Sequence, residues 1–367
     1  MKFVIFGLTV SSSWGNGHAT LWRGLCKALG RRGHTIIFFE RDVSYYAHHR
    51  DLTELSCGEL ILYPDWNSVL PLARMHLSDA DVGMVTSYCP DGRRACELIL
   101  ESPVRVKSFY DLDTPVTLSR LDAGEDIPYL PGDGFGEFDL VLSYTGGAAL
   151  RALQERLGAR CVAPLYGSVD PEVHAPMPPR ELFRGDISYL GTYAADRQQA
   201  LAELFIEPAR RLPERRFIIG GAQYPAEFPW TNNIYFVRHL PPPDHAAFYC
   251  SSRVTLNVTR QSMAEMGFCP SGRLFEAAAC HTAIVSDCWD GLDEFFTAGE
   301  EILIARDTEE AAAAFELSDA ELRRIASAGY EKAVAVHTAD QRVLDLENAL
   351  ECALNRTSRR SNQTVEV

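Results

Sequence analysis

Pro270-Ser271-Gly272-Arg273-Leu274-Phe275-Glu276-Ala277-Ala278-Ala279-Cys280, followed by the apolar run Thr282 to Val285, decides how this chain is read. Pro-Ser-Gly makes a turn that opens a helix, Arg273 and Glu276 fall in its first turns, and the run behind it is a buried strand. The first turn of a helix leaves N–H groups unpaired at the positive end of the dipole, which makes it a seat for phosphate. Arg273 adds positive charge at that seat, and Glu276, three residues on, shares its face. A carboxylate just past a phosphate site suits a neutral polyol, because it accepts hydrogen bonds from ribose hydroxyls. The competing reading is a capping box, which needs an acid three residues after a Ser or Thr cap. Leu274 holds that position after Ser271, so the cap reading fits poorly and nucleotide binding is the expectation.

Outward from this stretch, short apolar runs alternate with helical patterns, the sign of parallel sheets. In the first half, strands are expected at Val4 to Leu8, Thr35 to Phe39, Asp81 to Ser87, Val104 to Tyr110, Leu140 to Ser143 and Cys161 to Leu165. Helices are expected at Thr20 to Arg31, Arg93 to Leu100 and Ala148 to Leu157. Tyr166 to Gly185, with Pro171, Pro176, Pro178 and Pro179, interrupts the pattern and reads as a linker. The alternation restarts at Ile187 to Leu190 and continues through Phe217 to Ile219, Ile234 to Val237, Val254 to Val258, Ala283 to Ser286 and Ile302 to Ile304, with a helix over Gln198 to Arg211. From Thr308 to about Asn355 the pattern is helical, and the polar stretch after it, residues 356–367, is expected to fray. The fold class is therefore α/β, with two Rossmann-like halves expected to face across a cleft: residues 1–170, and residues 180–337.

Composition agrees with two domains. The 367 residues exceed the size at which one core usually keeps growing, and 46% apolar with 23% charged is a soluble globular balance. No apolar run is long enough to span a bilayer, and Met1 to Gly7 reads as a buried strand rather than a signal segment. Ten cysteines occur singly, without C-x-x-C or metal-like Cys/His spacing, which points to reduced thiols and a cytoplasmic setting. A formal charge of −15 argues against nucleic acid as a partner, while a nucleotide needs only a local basic pocket. Oligomeric state is not legible.

The loop after the first strand, Thr9 to Thr20, carries Gly15-Asn16-Gly17-His18 and leads into a helix. Its glycines permit close backbone approach to a ligand, and the helix start favours an anion. This half-matches a dinucleotide fingerprint with Glu40 near the ribose position, but the third glycine is replaced by Thr20 and the Ser-Ser-Ser-Trp insertion lengthens the turn. His18 either serves as a base toward the bound molecule or packs on Trp14. Asp111-Leu112-Asp113 follows a strand at the edge where open α/β sheets bind ligands, so one of the pair is a candidate base, whereas a metal lacks supporting ligands. Three turns, Gly191-Thr192-Tyr193 with Arg197, Gly220-Gly221-Ala222, and Arg238-His239-Leu240, belong on one rim of the second sheet, and Arg260 points the same way.

With Leu256 to Arg260, Pro270 to Cys280, Ser286-Asp287 and Gly291 to Phe296 in view, the second half resembles the CgeB-like (spore maturation protein CgeB) group of GT-B glycosyltransferases. The likeness is strong over about Val254 to Glu301, fair for the Gly15 to His18 loop and architectural elsewhere. It implies a nucleoside-diphosphate sugar donor held by the second half and a small-molecule or glycan acceptor on the first. Glu276 would bind the ribose, Arg273 with Ser271 and Gly272 the diphosphate, and His239 and Leu240 the base, with Gly15, Asn16, Gly17, Gly191, Thr192, Arg197, Gly221 and Arg260 around the donor. The likeness also implies that a helix over residues 338–355 crosses back to brace the first half. Related retaining enzymes often carry a Glu, seven residues, then a second Glu; Glu276 fits the second, but Phe268 stands at the first, which leaves stereochemistry open. Enzymes of this fold generally need no metal or other cofactor. His18 or Asp113 is the expected base. A nucleotide-sugar epimerase is the nearest alternative, then an NAD-dependent oxidoreductase built on Glu40, then a nucleotide-sugar sensor without turnover.

Overall fold

The computed structural model describes residues 1–363, and over 357–363 the backbone alone. The chain divides into two compact units, 1–166 with the final helix, and 167–338. In the first, β1 (Lys2–Gly7), β2 (Thr35–Arg41), β3 (Gly58–Tyr63), β4 (Val82–Thr86), β5 (Val106–Asp111), β6 (Leu140–Ser143) and β7 (Val162–Pro164) form one sheet in the order β3-β2-β1-β4-β5-β6-β7. Every pairing is parallel. Side chains alternate across the sheet: Phe3 and Ile5 join one apolar core, Val4 and Phe6 the other. Both faces are thus covered, which is why these strands read as continuous apolar runs. The chain order reverses between β1 and β4, and ligands of open α/β sheets collect at the carboxyl ends of such a pair.

The final helix, Ala339–Gln363, belongs to this first unit. Val343, Leu346 and Leu350, at helical spacing, join the core of Trp22, Leu25 and Leu29 from the helix Gly17–Arg31. Arg31 pairs with Asp340 at 2.7 Å and Arg32 with Glu347 at 2.7 Å along the same seam.

The second unit repeats the design. Its strands β8 (Gly185–Leu190), β9 (Phe217–Gly221), β10 (Ile234–Arg238), β11 (Ser252–Asn257), β12 (Ala283–Ser286) and β13 (Leu303–Ile304) lie in the order β10-β9-β8-β11-β12-β13, all parallel. Here the reversal falls between β8 and β11.

Four sequence expectations are corrected. Strand β3 and the helix Trp66–Leu77 arise where no element was expected. The helix contains Pro71, yet Asp65 caps it by accepting from Asn67 and Ser68 N–H, and Trp66, Val69, Ala73 and Leu77 bury one face. The helix expected over Gln198 to Arg211 contains a π turn at Ala202–Ile206. The proline-rich segment expected as a free linker belongs to the second unit from Gly167 onward, where Val169 bridges Thr338. The last helix runs on to Gln363 instead of fraying after Asn355, and residues 364–367 lie outside the described residues. No helix among the described residues is long and apolar enough to cross a membrane.

Candidate functional site

In the second unit, the helix Gly272–Ala279 starts where the sequence placed it, with Ser271 as its cap residue and no side-chain capping bond. Arg273 lies across the reversal of the sheet. Its Nη1 donates to the Leu190 carbonyl at the end of β8 at 2.6 Å, and its Nη2 to the Val258 carbonyl just past β11 at 3.2 Å. Its Nε donates to Ser271 Oγ at 3.0 Å, and the Tyr189 side chain is a further partner of the guanidinium. Gly191 is required beside it: a Cβ there would stand 2.8 Å from Arg273 Nη1.

The three expected turns meet as neighbours. Gly191 N–H donates to the Gly220 carbonyl, Tyr193 N–H to Ala222, and His239 N–H to Gly221 at 2.6 Å. This corrects one expectation: the Gly191 and Tyr193 N–H groups are used up in binding turn to turn and are not offered to phosphate. Gly221 packs so closely that a Cβ would lie 2.1 Å from the Gly191 carbonyl, and His239 holds φ at +53°. Leu240 is buried. Arg197 reaches only the Thr192 carbonyl, at 3.5 Å, and its Nε is buried without a hydrogen-bond partner among the described residues. Burial, then the Arg273 cation, push the Arg197 guanidinium below its ordinary pKa. Arg260 pairs with Asp196 at 2.8 Å. Asp287, from the Ser286-Asp287 pair, accepts from Thr259 N–H and Oγ1 and fixes the chain after β11.

Glu276 points to a different set of partners from Arg273. Its Oε2 lies 3.9 Å from His174 Nε2, 3.8 Å from His245 Nδ1 and 3.5 Å from the Tyr249 hydroxyl, which donates to it. Burial works against its charge, but the two imidazoles and Arg273 outweigh it and hold the carboxyl at about 2. Sequence reasoning missed both histidines. His174 sits in the proline-rich segment, and His245 follows Pro-Pro-Pro-Asp; no spacing links either to Glu276. At Phe268, in the place of the first acid of related enzymes, the backbone takes φ +49° after Gly267 at +70°, and its ring covers Gly291.

In the first unit, Gly15 takes φ +60°, Gly17 opens the helix with free space where a Cβ would be, and Asn16 caps it by accepting from His18 N–H at 3.1 Å. His18 Nε2 stands 3.6 Å from Asp113 Oδ2, and His18 Nδ1 is buried without a hydrogen-bond partner among the described residues. The alternative packing of His18 on Trp14 does not occur: Trp14 stacks on His49 with ring centres 3.8 Å apart, and the His18 ring lies 5.8 Å from that of Tyr88. Asp111 is fully buried, accepts from Asp113 N–H and Thr117 Oγ1, and burial pushes its carboxyl up to about 6. It is a support for Asp113 and does not make an outward-facing pair with it. Glu40 is not available to a ribose. It is buried and accepts from Thr9 Oγ1, Ser11 Oγ and the Val10 and Ser11 N–H groups, so it ties down the loop. All ten cysteines are free thiols.

Residues 197–348 match the model of a family described as glycosyl transferase-like. No curated protein sequence matches the chain. Among solved structures, the chain resembles an alpha-glucosyltransferase in complex with UDP-glucose and DNA containing an abasic site, at TM-score 0.70 and 12% identity over 96% of this chain and 99% of that one. It also resembles HepE of Anabaena in complex with UDP and glucose, at TM-score 0.65 and 14% identity over 96% and 100%. Sucrose-phosphate synthase from Thermosynechococcus elongatus aligns over 100% of this chain and 99% of its own at TM-score 0.63 and 13% identity. Two doubly covered parallel sheets with this strand order are the GT-B fold. The glycosyl transferase-like match over residues 197–348, in a chain with this fold, gives the class: a glycosyltransferase.

Proposed function

We propose that this glycosyltransferase moves a sugar from a nucleoside-diphosphate donor to a hydroxyl or amine of a small-molecule or glycan acceptor, in the cytoplasm, and that it belongs to the CgeB-like group. The observation that carries the reading is Arg273 and Glu276 on one short helix at the reversal of the second sheet, the first tied to β8 and β11, the second ionised far below the ordinary range. The Arg273 guanidinium and the half-buried Arg197 face the diphosphate and stabilise it as it departs. Arg260 adds to that field. Glu276 accepts from the ribose hydroxyls, and the Gly221 and His239–Leu240 turns line the base. His18, oriented by Asp113, takes the acceptor proton on the first unit, with the Gly15-Asn16-Gly17 turn beside it. The transfer itself uses no resident metal or cofactor.

A thermal-shift screen against nucleoside diphosphates, nucleotide sugars and NAD(P) tests this. A ligand at about a hundredfold its dissociation constant adds about 2.7 kcal/mol, read as a raised midpoint. Stabilisation by one nucleotide-sugar series, lost in Glu276→Ala, is the expected result. Stabilisation by NAD(P) alone overturns the reading.

A further inference from the structure

His174, His245 and Glu276 come from three separate segments: a turn after Val169, the start of the helix His245–Cys250, and the helix Gly272–Ala279. Each offers one ligand atom, and these atoms all lie within 4.8 Å of one another. His174 is 2% exposed, and neither of its ring nitrogens has a hydrogen-bond partner among the described residues. His245 Nδ1 is likewise buried and unpaired. Folded proteins nearly always satisfy buried ring nitrogens, so three such nitrogens left unsatisfied on two imidazoles turned toward one carboxylate are a feature to account for. The 3.8 and 3.9 Å gaps to Glu276 Oε2 are ion-pair distances, long for hydrogen bonds, so the carboxylate attracts both rings without closing on either.

We infer that His174 Nε2, His245 Nδ1 and Glu276 Oε2 form a site for a divalent transition-metal ion. Two imidazoles and one carboxylate suit zinc or cobalt in preference to magnesium or calcium, which take oxygen ligands. Metal–ligand bonds of about 2.1 Å in tetrahedral array place ligand atoms about 3.4 Å apart, so the three groups need close by only a few tenths of an ångström on the glutamate side. Three protein ligands leave one position open. The site shares Glu276 with the ribose contact proposed above, so ion and donor compete for that carboxylate; metal affinity is measured without nucleotide, so either reading can fail alone.

The test is titration of the full chain with cobalt(II), followed by visible absorption, and with zinc followed by calorimetry. One ion per chain is expected, with the strong visible bands of four-coordinate cobalt. His245→Gln and Glu276→Gln should each weaken zinc binding about tenfold or more, since removing even a supporting group costs that much. His245 is the less buried histidine, so its variant keeps the test alive should His174→Gln fail to fold. Binding unchanged in His245→Gln, a sulfur-to-cobalt charge-transfer band from the free cysteines, or no binding by the parent chain overturns the proposal.

Discussion

Arg273 and Leu190 are joined by a 2.6 Å hydrogen bond from the guanidinium to the last carbonyl of β8, while the same side chain also holds Val258 past β11. One residue therefore closes the carboxyl edge of the second sheet at its reversal and places positive charge there. A lysine keeps the charge but cannot span two carbonyls in a fork. Arg273→Lys should cost about 1.5–3 kcal/mol, the worth of hydrogen bonds to a charged group, and lower donor affinity at least as far as it lowers stability. Urea denaturation and nucleoside-diphosphate titration of the same variant check this, and a stable variant with parental affinity would refute it.

Glu276 gives the protein an acid-side weakness. Its folded pKa of about 2 is depressed below the ordinary 4.5, so its contribution is fully present above pH 4.5 and is lost as pH falls toward 2. The stake is on the order of 2–3 kcal/mol. Glu276→Gln should be less stable at pH 7 and flatter between pH 5 and about 2. Denaturation midpoints across that range decide it.

Asp111 has the opposite sign. Burial raises its carboxyl to about 6 from 3.8, so the stability linked to its protonated form is complete below 3.8 and lost as pH rises through 6. Its Oδ1 accepts two hydrogen bonds that an asparagine oxygen retains, while Oδ2 has no hydrogen-bond partner among the described residues. Asp111→Asn should therefore stabilise the protein at pH 7 by about 1–3 kcal/mol and remove the slope around pH 6. A variant less stable than the parent at pH 7 would show that the carboxylate is needed in its charged form.

The legible parts of this chain were those written in local periodicity. Leu140–Ser143 and Ala283–Ser286 are strands to the residue because buried parallel strands are apolar on both faces. Arg273 and Glu276 were readable because a helix start and a three-residue spacing lie within one short stretch. Strand β3 was not, since its Gly-Glu-Leu-Ile-Leu-Tyr begins exposed at an outer position of the sheet. Glu40 misled because sequence cannot tell a carboxylate offered to ribose from one consumed by Thr9 and Ser11. His174 and His245 were invisible for a related reason. They reach Glu276 from about a hundred and about thirty residues away in sequence, and only tertiary packing selects such partners.

His18 and Asp113, 3.6 Å apart, should act as one device if the first unit supplies the base. Asp113→Asn keeps the size of the side chain but removes the charge that orients the ring. His18→Gln removes the base itself. Each should lower kcat by about a hundred- to ten-thousandfold, the usual worth of general-base assistance. Donor affinity should hold in both, because the residues proposed for the donor nucleotide's ribose and diphosphate all lie in the second unit. The double variant separates a working pair from two independent contributions. Residues that act as a unit lose most of their effect with the first substitution, so the pair together should cost little more than His18→Gln alone. Losses that multiply would mean that Asp113 contacts the acceptor on its own account, and an unchanged kcat in His18→Gln would remove His18 from the reaction.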